Sequence, residues 1–333
     1  MLRELSVTQE SWPLATPFRI SRGVKTVAHV IVVEIREGAA RGRGEGVPYA
    51  RYGETLESVL EQVRTVAAAV SRGATRESLS ELMLPGAARN AIDCALWDLS
   101  ASLTGQSVAA QLGQGGPLPG LVSALTVGLD TPEAMKAASV LLRDAPLIKV
   151  KVDATDPEAQ LRAVRAGAPN ARLIVDPNES WNFDLLKAMQ AVLVDMRVDL
   201  VEQPLPAQDD AALEGFRPAR PICADESCHV AADLTKLRGR YQAVNIKLDK
   251  TGGLSDALEL LRQARAAGLE VMCGCMICTS LSIAPAFHIA RHAAFVDLDG
   301  PLWLKQDHSG GVRLENGKLL APADALWGAP RVT

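Results

Sequence analysis

The 333-residue chain has no block of basic residues, and its formal net charge is −4. Without a concentrated positive surface it is a poor match for nucleic acid. No apolar run approaches the roughly 20 residues that a membrane span requires. The first residues, Met1-Leu2-Arg3-Glu4-Leu5-Ser6, are too polar for a signal peptide. A cytoplasmic protein without a membrane partner is expected. Phosphate loops and dinucleotide fingerprints are also missing. Gly42, Gly44 and Gly46 form a G-x-G-x-G, but neither the following helix nor the third-glycine spacing is right, so this stretch reads as a turn and strand edge.

Metal-binding patterns built on cysteine or histidine are equally incomplete. Six cysteines are present, and in a reducing compartment they stay reduced. The run Cys273-Gly274-Cys275-Met276-Ile277-Cys278 invites a zinc reading. It has no second Cys pair or Cys/His pair at zinc spacing, so a buried strand accounts for it better. His288 and His292 stand four apart but lack the glutamate of H-E-x-x-H; the surrounding Ala/Ile periodicity makes them helix-surface residues.

What the chain does contain is ordinary globular material: 48% hydrophobic and 22% charged residues, enough for a large core in one or two domains. Residues 1–50 read as strands, with the β-branched run His29-Val30-Ile31-Val32-Val33-Glu34-Ile35. Helical periodicity follows from Thr55 to about Leu112, with a second helix over 87–103. Gly113-Gln114-Gly115-Gly116-Pro117 then breaks the chain. Beyond it, strands and amphipathic helices alternate. Thr131-Pro132 and Asp156-Pro157 are helix starts with a cap and an N1 proline. Strand ends fall near 127, 151, 176, 202, 225, 247, 273 and 297. Eight such ends with short links predict an α/β barrel, the alternative being a doubly wound sheet. A last barrel helix is missing: after Asp297 the chain turns at Gly300-Pro301 and becomes strand-like at 312–314 and 318–320.

Five of these strand ends carry charge. Lys149-Val150-Lys151, Asp176-Pro177-Asn178, Glu202-Gln203-Pro204, Asp225-Glu226-Ser227 and Lys247-Leu248-Asp249-Lys250 recur at intervals of 22–26 residues, each after a short apolar run. Strand C-termini of a barrel converge on one mouth. Asp176, Glu202 and Asp225 are hard oxygen donors suited to Mg²⁺, and no histidine accompanies them. Taken singly, each carboxylate would be a loop or cap residue; the regular triple points to a metal site. Lys151 and Lys247 bracket it in strand order, so they face opposite sides of one bound substrate. A lysine next to a divalent cation has its pKa lowered and becomes competent as a base. The metal stabilises the enediolate of a carbon acid next to a carboxylate, one lysine removes a proton, and the other returns one to the opposite face. That chemistry is racemisation or epimerisation. Asp297 and Asp299, two apart on the last strand, are acceptors suited to an ammonium group, or else a polar turn. Thr126 ends the first barrel strand, where it touches the substrate or has a helix-start or turn role.

Together these segments resemble the enolase superfamily, in the subgroup of muconate cycloisomerase and the dipeptide epimerases. Lys149-Val150-Lys151 is similar to the family's K-x-K strand, Asp176, Glu202 and Asp225 to its three metal ligands, and Asn245 to Gly253 to its second base segment. The resemblance covers essentially the whole chain. It implies an α+β capping domain over 1–115, a (β/α)₇β TIM-like barrel over 116–305, and a segment, 306–333, that returns to complete the cap. It implies Lys151 and Lys247 as catalytic bases, Mg²⁺ as cofactor, and Asp297 and Asp299 as the site for a dipeptide's free α-amino group. The segments Phe18 to Lys25 and Pro48 to Glu54 resemble the two cap loops of L-Ala-D/L-Glu epimerases, which makes Arg22 and Lys25 candidates for a glutamate carboxylate. Some family members carry arginine where Lys25 stands. Lys149, Thr126 and Met276 complete the substrate-facing set.

The expected activity is Mg²⁺-dependent epimerisation of a small dipeptide, L-Ala-D/L-Glu. Within the same superfamily, N-acylamino acid racemase, o-succinylbenzoate synthase and muconate-type cycloisomerase are alternatives whose substrates carry no free ammonium. A non-catalytic binder of acidic ligands is the remaining alternative. A homo-oligomer is compatible with the chain.

Overall fold

The computed structural model describes residues 2–116 and 118–330. Three antiparallel strands open the chain: β1 (Glu4–Ile20), β2 (Gly23–Glu37) and β3 (Ala40–Gly46), in that order across the sheet. On β2, Val30, Ile31, Val33 and Ile35 have no exposed surface. The helix Leu56–Ser71 begins with Thr55 accepting from the Ser58 amide and buries Val59, Val63, Val66 and Val70, an i, i+4, i+7, i+11 stripe. The helix Ala87–Thr104 is buried along most of its length. It lies directly on β3. A Cβ on Gly42, Gly44 or Gly46 would stand 2.1–2.2 Å from the carbonyl oxygens of Ala95, Ala91 and Ala87. The glycine triplet therefore serves a close strand–helix approach; the two-residue spacing puts all three on one face.

Eight parallel strands follow: β4 (Leu125–Val127), β5 (Leu147–Lys151), β6 (Arg172–Asp176), β7 (Val198–Glu202), β8 (Ile222–Ala224), β9 (Ala243–Ile246), β10 (Glu270–Gly274) and β11 (Phe295–Asp297). They pair in chain order. The seam between first and last is bridged by Ala124 N donating to Val296 O at 2.7 Å and Leu298 N to the Ser123 hydroxyl at 2.9 Å. One residue from each strand region fills the interior: Ala124, Leu147, Ile174, Leu200, Cys223, Ala243, Met272 and Phe295 pack as one cluster. The crossovers carry the helices Pro132–Leu141, Pro157–Gly167, Phe183–Asp195, Leu254–Ala266 and Ser280–Ala290, with the short helix Leu234–Leu237 after β8. The β7–β8 connection departs from the helical pattern, having only a 3₁₀ turn, Asp210–Leu213. Thr131 and Asp156 cap the helices that follow them, as their sequence predicts. No helix among the described residues is long and apolar enough to cross a membrane.

After β11 a 3₁₀ turn, Gly300–Trp303, replaces a helix, and the chain goes back to the cap. Lys305 N donates to Pro13 O at 2.8 Å, Trp327 Nε1 to Cys94 O at 3.1 Å, and Gly328 N to Asp98 Oδ1 at 2.7 Å. A small hairpin, β12 (Arg313–Glu315) and β13 (Lys318–Leu320), lies on the way. His288 is not on a helix surface. It is 3% exposed, with Nδ1 2.7 Å from Gln114 Oε1 and its ring against Trp327. Its helix is buried on every side, so the Ala/Ile periodicity did not mark an outer face.

Candidate active site

A cavity of about 640 Å³ opens where the C-terminal ends of the barrel strands meet the cap. Lys149, Lys151, Asp225, Lys247, Thr126, Met276, Asp297 and Asp299 line it from the barrel, and Arg22 and Lys25 from the cap. Asp176 and Glu202 lie just beneath, 1% and 0% exposed. All twelve residues singled out in the sequence thus meet at one mouth.

The carboxylates Asp176, Glu202 and Asp225 end β6 and β7 and follow β8, and ammonium groups stand between them. Lys151 Nζ is 2.5 Å from Asp176 Oδ2. Lys149 Nζ is 3.0 Å from the same oxygen, 2.6 Å from Glu202 Oε2 and 2.8 Å from Asp297 Oδ2. Lys247 Nζ is 2.6 Å from Asp225 Oδ2 and 4.0 Å from Glu202 Oε1. Lys149 and Lys151 are two apart on one strand, so both point into the barrel. Gly274 opposite Lys247 leaves room for that side chain: a Cβ there would come 3.1 Å from Lys247 Cε and 2.8 Å from Asn245 Oδ1.

The charges act on one another. Burial pushes the Glu202 carboxyl up, to about 7, with the Asp176 charge adding to it. Burial pushes Asp225 the same way, but Lys247, Lys250 and Lys149 outweigh it and hold Asp225 well below the usual range. For Lys247, burial lowers the pKa, and Asp225 and Glu202 more than reverse that, leaving it above its ordinary value. The protein's own groups therefore favour the charged ammonium at Lys247. The lowering expected of a catalytic base needs a further cation on those carboxylates.

Among the described residues no three His, Cys, Asp or Glu side chains stand in a ready-made ligating array. The donor set nevertheless fits a hard divalent cation: three buried carboxylates, no sulfur or imidazole, and Glu202 Oε2 left without hydrogen-bond geometry although an ammonium is close. Lysine ammonium groups occupy the same anionic ground that Mg²⁺ would neutralise.

Several positioning residues carry no periodic signal in the sequence. Lys250, fully buried, donates to Asp225 Oδ1 and to the Asp225 and Asn245 carbonyls at 2.6–2.9 Å. Asn245 Nδ2 donates to Glu202 Oε1 at 2.8 Å. Asn178 donates its amide and its Nδ2 to the two Asp176 oxygens, at 2.9 and 3.2 Å. Gln203 Oε1 accepts from the Asp225 and Ser227 amides. Asn178, Glu179 and Gln203 all have positive φ (48°, 67° and 32°), a conformation that non-glycine residues rarely adopt and that clusters at functional sites. Asp249 turns the other way and accepts from Val47 N and Asn90 Nδ2, tying the Lys247 segment to the cap.

The two cap loops close over the mouth by charge. Arg51 grips Glu179 with two bonds of 2.7 Å. Arg22 donates to Asn178 O, Glu179, Tyr49 and Glu226 at 2.8–3.2 Å. Arg22 is thereby committed to the protein. Lys25 differs: it has no carboxylate partner among the described residues and sits over the Tyr49 ring, 5.0 Å from its centroid. Burial, with the Arg22 charge adding, lowers its pKa. Asp299 accepts from Thr126 N at 2.8 Å and Trp303 Nε1 at 3.3 Å, and burial next to Asp297 pushes its carboxyl up to about 6. Met276 is 7% exposed and forms part of the apolar wall.

A barrel with carboxylates on three successive strands, a lysine on either side and a cap over the mouth defines the enolase architecture. Residues 133–326 match the family described as enolase C-terminal domain-like, and residues 2–113 the mandelate racemase / muconate lactonizing enzyme N-terminal domain. The chain belongs to the mandelate racemase / muconate lactonizing enzyme family of the enolase superfamily. It is 47% identical over 320 residues to the L-Ala-D/L-Glu epimerase of Escherichia coli (strain K12), covering 96% of this chain and 99% of that one. It is 44% identical to an N-acetyl-D-glutamate racemase of a Pseudoalteromonas species, covering 90% and 95%. Among solved structures, an Agrobacterium tumefaciens enolase family member with bound sodium and L-Ala-L-Glu superposes with a TM-score of 0.96 at 46% identity, covering 98% of this chain and all of that one.

Proposed function

We propose that this chain is a Mg²⁺-dependent dipeptide epimerase acting on L-Ala-D/L-Glu by two-base 1,1-proton transfer. The observation that carries the reading is the placement of the two bases. Lys151 Nζ rests on the first carboxylate of the row and Lys247 Nζ on the last, on opposite sides of one cavity. Each is positioned to hold or take the α-proton on one face of the C-terminal residue. Asp176, Glu202 and Asp225 would hold Mg²⁺. When bound, the ion supplies positive charge against the substrate carboxylate as its α-carbon loses a proton. Lys149 adds a buried, fixed positive charge behind the same carboxylates.

Substrate ends are assigned by charge. Asp297 and Asp299 receive the free α-ammonium, and Lys25, a cavity-lining cap cation with no carboxylate partner among the described residues, receives the glutamate side chain. The cap over 1–115 and the segment 306–333 form one closing unit above the barrel of 116–305; the bonds of Trp327 and Gly328 to the cap support this division, while Asp307, Val312 and Leu319 bond to Ser280 and Leu121 of the barrel.

The test is α-proton exchange of L-Ala-L-Glu in D₂O with Mg²⁺, read by NMR together with the appearance of L-Ala-D-Glu. Absence of both exchange and epimer removes the reading. The 44% identity to an N-acetyl-D-glutamate racemase favours one second reading, racemisation of an N-acylated glutamate. Faster turnover of N-acetyl-L-glutamate than of L-Ala-L-Glu would establish it instead.

A further inference from the structure

Of the six cysteines, Cys275 alone is partly exposed, and it faces the substrate cavity. Cys278 is fully buried three residues later, immediately before Thr279, the N-cap of the helix Ser280–Ala290. The two thiols meet at one point. A Cβ on Gly300 would stand 3.0 Å from Cys275 Sγ and 3.2 Å from Cys278 Sγ, so this glycine leaves the space in which both sulfurs lie. Burial, with the neighbouring Cys275 adding to it, holds the Cys278 thiol well above its ordinary value. The other thiols are enclosed. Cys273, for example, is 1% exposed and directed at Ala286 O, 3.7 Å away. A C-x-x-C ahead of a helix, with one cysteine partly exposed on the cavity wall and the second buried beside it, is an arrangement suited to thiol–disulfide exchange.

We propose that Cys275 and Cys278 form a dithiol modification site in the cavity wall, closed to a disulfide by exchange with a low-molecular-weight disulfide that enters through the cavity. In the first step the Cys275 thiolate, its proton given to solvent, attacks the small disulfide. The incoming S–S bond breaks, a Cys275 mixed disulfide forms and one small thiolate leaves. In the second step Cys278 gives up its proton, its sulfur attacks Cys275 Sγ and a second small thiolate leaves. The cysteine pair loses two electrons and the small disulfide gains them, becoming two thiols. The new bond would tie the wall residues Met276 and Ile277 to the start of the helix Ser280–Ala290, beside Asp299. This site does not depend on which substrate the cavity takes.

The experiment uses the full chain, native and reduced, treated with excess bis(2-hydroxyethyl) disulfide. Free thiols are then alkylated in denaturant and mapped by mass spectrometry. The expected product is a protein two hydrogens lighter, with Cys275 linked to Cys278, Cys94, Cys223, Cys228 and Cys273 still alkylated, and full reversal by dithiothreitol. Cys278→Ser should stop at a mixed disulfide on Cys275, and Cys275→Ser should leave Cys278 reduced. A wild-type product that remains a mixed disulfide, a bond to any other cysteine, or a Cys275 that reacts only after denaturant is added overturns the proposal. The wild-type product decides the matter even if a variant fails to fold.

Discussion

Asp297 divides its two carboxylate oxygens between different tasks. Oδ2 accepts from the Lys149 ammonium at 2.8 Å, while Oδ1 is buried with no hydrogen-bond partner among the described residues. An unsatisfied buried acceptor costs free energy until a donor arrives. A substrate ammonium is such a donor, and Asp299, two residues on, supplies a second carboxylate. Acetylating the amino terminus of L-Ala-L-Glu should therefore lower kcat/KM about ten- to a hundredfold, the range expected for a lost charged hydrogen bond. Asp297→Ala should narrow the gap between the free and acetylated dipeptides. Equal kcat/KM for both substrates on the wild-type protein would exclude ammonium recognition.

At the other end of the substrate, Lys25 lines the cavity with no carboxylate partner among the described residues. Lys25→Ala should reduce kcat/KM for L-Ala-L-Glu by about tenfold or more and leave L-Ala-L-Leu nearly unchanged. Arg22→Ala should instead slow both dipeptides, because Arg22 holds Asn178, Glu179 and Glu226 in place. A uniform loss in Lys25→Ala would give that residue a structural role.

The two bases make separable predictions. Lys151→Ala and Lys247→Ala should each lower epimerisation by at least about 10²-fold, the usual lower range for a lost general base. Each should still exchange the α-proton of the one epimer that its remaining lysine faces. Complementary exchange, one epimer per variant, is measured by NMR in D₂O. Epimerisation at wild-type rate in both variants would rule out a two-base mechanism.

The sequence reveals this site to the extent that each functional group follows an apolar strand. Asp176, Glu202, Asp225, Lys151 and Lys247 stand out because buried barrel strands are short apolar runs and their ends share one spacing. Residues that hold those groups are less visible. Asn178 and Gln203 act from left-handed loop positions, for which no periodicity exists. Lys250 lies beside Lys247 in sequence, yet only the turn Leu248–Thr251 shows that one ammonium enters the cavity while the other goes beneath Asp225. Arg22 and Lys25 look equivalent as a pair of cap cations. Only their contacts separate the latch from the free charge. The glycines of β3 read as a turn and strand edge, and the sequence does not show which helix lies across them.

Lys250 can be tested through stability. It is wholly enclosed, and Lys250→Met would remove its bonds to Asp225 Oδ1 and to the Asp225 and Asn245 carbonyls, of which the Asp225 carbonyl keeps the Cys228 amide. Breaking a buried ion pair from one side costs about 3–5 kcal/mol. Urea unfolding in the presence of a chelator should show a loss of that size. A change below about 1 kcal/mol would mean that Lys247, already 2.6 Å from Asp225 Oδ2, satisfies that carboxylate without Lys250.

The contact between cap and barrel predicts how stability varies with pH. Glu45, 1% exposed at the end of β3, accepts from the amide and hydroxyl of Thr279 across the interface. Burial pushes its carboxyl from an ordinary 4.5 up to about 8. Asp249, on the barrel side, is pushed by burial from 3.8 to about 7. A carboxyl whose folded value is raised binds more protons in the folded state than in the unfolded one. Its contribution is complete below the unfolded value and is lost as pH rises through the folded value. Stability should therefore fall as pH goes from about 5 to about 8, most steeply between about 5 and 7 and levelling off towards 8. Glu45→Gln copies the protonated form and keeps an acceptor for Thr279, so it should flatten this decline and be more stable than wild type at pH 8. Urea midpoints at pH 5, 6.5 and 8 for both proteins provide the check. A wild-type midpoint that rises across that range, or a glutamine variant with the same slope, would mean that Glu45 enters the folded protein charged.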